Sequence, residues 1–147
     1  MVWGGIHQHG RTPLHLVQGN LTGVRYRDEI VRRIVLPTLQ TMGPVAILQD
    51  DNASPHRAMV VTGFLQQHQV TQMDWPARSP DLVPIKNLWD ILGRHVHDRH
   101  PPAANLTQQF LQQEWNAIPQ QTLVTLVQSM KKTCVECLKA NGSFIHY

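Results

Sequence analysis

With 147 residues, 41% of them hydrophobic and 16% charged, the chain is long enough for one domain with a real core, and nothing in its composition suggests disorder. A net charge of +3, with nine histidines counted as neutral, makes the surface mildly basic, more so below about pH 6.5; this permits contact with nucleic acid without establishing it. No apolar run approaches the ~20 residues of a membrane helix, no secretory leader is recognisable, and two cysteines point to a reducing intracellular compartment rather than a disulfide scaffold.

In chain order, residues 1–6 read as a short glycine-punctuated strand and residues 12–17 as a second, with Gly10 and Arg11 as the turn between them. Residues 26–40 carry Ile30, Ile34, Val35 and Leu39 at helical spacing, and Pro37 is expected to bend or end that helix early. Gly43-Pro44 breaks the chain before residues 45–48, an apolar run that reads as a buried strand ending in Asp50 and Asp51. Residues 58–67 show a helical face of Val61, Phe64 and Leu65, and residues 70–75 suit another strand. From Pro84 onward, Ile85, Leu88, Trp89, Leu92 and Val96 form one stripe, with Asp81 expected to cap the helix. Pro101-Pro102 is a stop, after which residues 106–118 and 122–140 read as two closing helices. The order fits a single α/β domain over residues 1–147, a mixed sheet flanked by helices.

Several phrases carry a resemblance. Met1-Val2-Trp3-Gly4-Gly5, Gln49-Asp50-Asp51-Asn52-Ala53-Ser54-Pro55-His56, Asp74-Trp75-Pro76-Ala77-Arg78-Ser79-Pro80-Asp81-Leu82 and Pro84-Ile85-Lys86-Asn87-Leu88-Trp89 resemble the catalytic domain of mariner-type transposases. In that branch of the DDE superfamily 34 residues separate the second and third acids, and 34 residues lie between Asp51 and Lys86. The resemblance implies a ribonuclease-H-like fold and magnesium-dependent cleavage and joining of DNA strands. It further implies that Asp51 is the second of three acids, that Lys86 stands where the family has glutamate, and that the family's first strand, with the first acid, is absent here. That strand lies centrally, so the sheet is expected to be weak or to be reclosed by pairing residues 1–6 with residues 45–48.

Two-metal phosphoryl transfer needs carboxylates converging on two cations roughly 3.5–4 Å apart. Three carboxylates would supply three negative charges, whereas Asp51 and Lys86 together supply none. A protonated lysine has no lone pair and repels a cation at ligand distance, so no metal cofactor is expected. Asp50 follows strand alternation and should look away from Asp51; Asp90, one turn beyond Lys86, is read as its ion-pair partner.

His56, Arg57, Arg78 and Arg94 are the candidates for contact with phosphate, and Trp89 is read as core. His95 and His97 project to different sides of a helix, His7 and His9 lack a third ligand, and Cys134 and Cys137 lack the second pair of a zinc site. Three functions compete: a transposase-derived domain in the nucleus that binds DNA weakly and without sequence preference, having lost strand transfer; part of an active transposase; or a degenerate interaction module.

Overall fold

The computed structural model describes residues 1–74, 83–99 and 104–139, without the side chains of 104–107. The described residues form two compact units, residues 1–5 with 12–74, and residues 6–11 with those from 83 onward.

In the first unit, β1 (Val2–Trp3) pairs antiparallel with β4 (His15–Leu16), Val2 opposite Leu16. Thr22 then caps the helical stretch by accepting the Arg25 N–H at 3.3 Å. Gly23, the first residue of α1 (Gly23–Arg25), is needed for close approach, since a Cβ there would lie 2.5 Å from that of Ala58.

The next ten residues, Tyr26–Val35, are π-helical and lead into α2 (Leu36–Met42). Their buried set is Tyr26, Ile30, Val31, Val35 and, at the junction, Leu36. It recurs every four to five residues, wider than the 3.6 of an α-helix and suited to i→i+5 hydrogen bonding. Pro37 does not end the helix as expected. The Leu36 N–H reaches the Val31 carbonyl, and Pro37 falls in the first turn of α2, where a missing N–H costs nothing. With Val17, Leu21 and the Val61, Phe64 and Leu65 face of α3 (Met59–Gln67), this surface makes the core of the unit.

β5 (Ile47–Leu48) pairs in parallel with β6 (Thr71–Gln72), and the Met73 N–H extends the ladder to the Leu48 carbonyl at 2.8 Å. The expected buried strand is in fact half open. Val45 is 86% and Ile47 50% exposed, while Leu48 packs against the core. One face alone meets apolar neighbours, and among the described residues β5 pairs only with β6 and β1 only with β4, so the expected reclosure is not made.

In the second unit, β2 (Ile6–His7) and β3 (Gly10–Arg11) form an antiparallel hairpin with Ile6 opposite Arg11. The reversal therefore lies at Gln8-His9, not at Gly10-Arg11. A tertiary contact draws Arg11 into the ladder: its guanidinium donates to the carbonyls of Trp115 and Ile118, acceptors that the end of helix α5 (Ala104–Ala117) leaves unsatisfied.

Helix α4 (Pro84–Asp98) buries Leu88, Leu92 and Val96, as its stripe predicts. It packs on α5 and on α6 (Gln120–Lys139). Trp89 stacks on the fully buried Trp115 with ring centroids 5.3 Å apart, in keeping with a core role. The N-cap position of α4 is Val83, which has no side-chain cap of its own, and Asp81, expected to cap this helix, lies outside the described residues. Among the described residues no helix is long and apolar enough to cross a membrane.

Candidate functional site

The first unit places a knot of polar side chains where β5 and β6 end side by side, the carboxyl-end position at which α/β sheets bind ligands. After Leu48 the chain turns through Asp50-Asp51-Asn52. Asn52 adopts φ +59°, a left-handed conformation that asparagine tolerates better than most residues. Each aspartate accepts the N–H two residues on, Asp50 from Asn52 and Asp51 from Ala53, both at 3.2 Å.

The two carboxylates then part. Asp50 is only 6% exposed; its Oδ2 accepts from Gln72 Nε2 at 3.1 Å, and its Oδ1 lies 3.3 Å from Arg57 Nη2. It ties the end of β5 to β6 and to the segment before α3. The Asp51 side chain is 29% exposed, with Oδ1 3.0 Å from His56 Nδ1, an ion-pair distance without hydrogen-bond alignment.

His56 is turned inward. Its side chain is 14% exposed, and its ring centroid lies 4.4 Å from that of Tyr26, tilted by 34°. Burial pushes the His56 pKa down although Asp50 and Asp51 pull it up, so the ring carries little positive charge at neutral pH. Burial, reinforced by Asp50, raises the Tyr26 hydroxyl pKa and keeps it protonated.

Of the candidates read from sequence, Asp51, His56 and Arg57 thus come together in the first unit. Lys86 lies in the first turn of α4, with its N–H donating to the Val83 carbonyl at 3.0 Å, and Arg94 is exposed on the same helix. Arg78 lies outside the described residues. Sequence reasoning missed Tyr26 and Gln72, whose contributions come from 24 residues before and 22 residues after Asp50. No local pattern marked either one.

Magnesium requires several hard oxygens in octahedral array. Asp50 accepts from Asn52 and Gln72 and faces Arg57, so Asp51, 29% exposed, is the more open carboxylate of the knot. No group of three or more His, Cys, Asp or Glu residues able to hold a metal ion occurs among the described residues.

The DDE superfamily endonuclease family matches residues 1–109. The chain is 32% identical to the Tc1 transposase of the Tc1 transposable element of Caenorhabditis elegans, over 100% of this chain and 54% of the relative. It is 31% identical to the Tc3 transposase of the same organism, over 100% of this chain and 45% of the relative. The chain therefore spans about half the length of the curated relatives it matches. The crystal structure of the catalytic domain of Mos1 mariner transposase superposes with a TM-score of 0.83 at 19% identity, covering 99% of this chain and 74% of that one. This bears out the ribonuclease-H-like α/β fold. Structures of the Mos1 transposase catalytic domain and raltegravir with Mg and with Mn also match, as does the Mos1 Strand Transfer Complex.

Proposed function

The chain belongs to the DDE superfamily endonuclease family and is transposase-derived, and from that premise we propose that it keeps weak, sequence-independent affinity for DNA in the nucleus while strand transfer is lost. The observation that carries this reading is Lys86, at the position where the family resemblance places a glutamate. An ammonium there repels the cation that the acid would hold. Asp50 does not compensate, since its carboxylate is already spent on Gln72 and Arg57.

DNA contact then rests on net positive charge rather than on base readout. Affinity should fall steeply with salt, with a slope that counts the phosphates neutralised. A preference for one duplex sequence by ~10³ or more would refute this. The decisive test is nicking of supercoiled DNA in magnesium or manganese. The chain should give no product, because Lys86 puts a cation where the family resemblance places an acid. Metal-dependent cleavage that Asp51→Asn abolishes would overturn the reading. The competing reading, part of an active transposase, is favoured by the greater length of the relatives and predicts that outcome.

A further inference from the structure

Cys134 and Cys137 are the only cysteines of the chain, both free and one turn apart on α6. We propose that they form a two-thiolate site for a soft monovalent ion of the copper(I) kind. The inference is independent of the DNA reading.

Accessibility comes first. The apolar stripe of α6 starts at Leu123, fully buried, and passes through the partly buried Val127 and Met130 to the two cysteines. By that point its cover is thinning: both thiols are half-buried, and the neighbouring Val135 and Leu138 are 41% and 77% exposed. A small ion reaches the sulfurs without opening the core.

Geometry then selects the chemistry. Residues three apart on a helix have Cβ atoms about 5–6 Å apart, whereas a disulfide holds them at about 3.8 Å. Direct oxidation would have to close a gap of more than ~1 Å against the helix ladder. A bridging ion removes that demand, since two metal–sulfur bonds of about 2.3 Å separate the sulfurs by up to roughly 4.6 Å. Zinc is a poor fit because it wants four ligands, and no third donor joins the pair among the described residues. Thiolates favour copper(I), which is stable with two ligands.

The balance is simple. Two thiols lose two protons and form two sulfur–copper bonds, with no change of oxidation state and a net charge of −1 on the complex. Lys131 and Lys132, exposed on the preceding turn, offset that charge, while Lys139 is held by Glu136 at 2.9 Å.

The test titrates the reduced chain with copper(I), without oxygen, against a chromophoric chelator. One ion per chain, two protons released and a near-ultraviolet sulfur-to-copper band are expected. Cys134→Ser and Cys137→Ser should each weaken binding about 100-fold or more, and zinc should bind more weakly than copper(I) by a similar factor. Circular dichroism should show unchanged helix content in both variants. Full binding by either serine variant would overturn the proposal, as would one ion shared by two chains in a dimer. Rapid, quantitative disulfide closure by hydrogen peroxide in the folded chain would also overturn it, by placing the sulfurs within bonding range of each other.

Discussion

Asp50 in the first unit and Glu114 in the second are both buried acids, with side chains 6% and 10% exposed, and each faces an arginine. Their remaining partners differ. Asp50 is held by neutral donors that backbone geometry fixes, the Asn52 N–H and the Gln72 amide beside the β5–β6 ladder. Glu114 is held by the flexible side chains of His95, at 3.2 Å, and of Arg99. The first arrangement sets the path of a loop that presents Asp51; the second clasps two helices. A buried carboxylate therefore does not mark a functional site by itself. What its partners are attached to decides whether it shapes a site or joins a scaffold.

The most severe way to break the comparison is to empty the core beneath the clasp. Trp115→Ala removes a fully buried ring and its stack with Trp89, and should cost about 3–5 kcal/mol in urea denaturation. A loss under about 1 kcal/mol would mean that the clasp does not depend on that packing.

Removing each arginine sharpens the contrast. Among the described residues, Arg99→Met leaves Glu114 facing only His95, whereas Arg57→Met leaves Asp50 with two neutral donors. Both arginines are more than a third exposed, so after discounting for solvent screening the costs should be about 1–2 kcal/mol for Arg99 and under about 1 for Arg57. Equal losses would erase the distinction drawn between the two acids.

Asn52→Ala tests the loop directly. A β-carbon without the amide is strained at φ +59°, and the cost should be about 1 kcal/mol. The change should leave the second unit's helices unaltered by amide exchange.

The smallest effect belongs to an exposed pair that serves as baseline. Arg25 donates to Glu29 at 2.6 Å, and this bond, with lesser help from His15, lowers the Glu29 pKa from its ordinary 4.5. A depressed carboxylate contributes stability that is present above the unfolded pKa and lost as pH falls through the folded one. Melting temperature should therefore drop slightly below about pH 4.5. Arg25→Met should flatten that drop and raise the Glu29 pKa in a carboxyl NMR titration; an unmoved pKa would exclude Arg25 as its cause.

Much of this was legible without coordinates. The stripe of Leu88, Leu92 and Val96 predicts the buried face of α4 because a helix of regular pitch converts spacing into a direction. The family resemblance was legible for a related reason, since its phrases are contiguous and carry their own turn and helix-entry chemistry. The π-helical register escaped that reading. Val31 and Leu36 are buried where a period of 3.6 favoured Ile34 and Leu39, and Pro37 read as a stop because its tolerance depends on the hydrogen-bond register before it.

By itself, then, the sequence determined the α/β class, the helices and the family phrases, all of them properties of residues near one another in the chain. The tertiary structure decided the rest. Arg11 joins a ladder because carbonyls more than 100 residues away accept its guanidinium. Val45 and Ile47 stay exposed because only one face of β5 meets the core. Asp50 is buried and Asp51 left more open because Gln72, Arg57, His56 and Tyr26 converge on the strand end from three other segments. Burial and hydrogen-bond partnership are sums over neighbours in space, and a chain read in order has no means of summing over them.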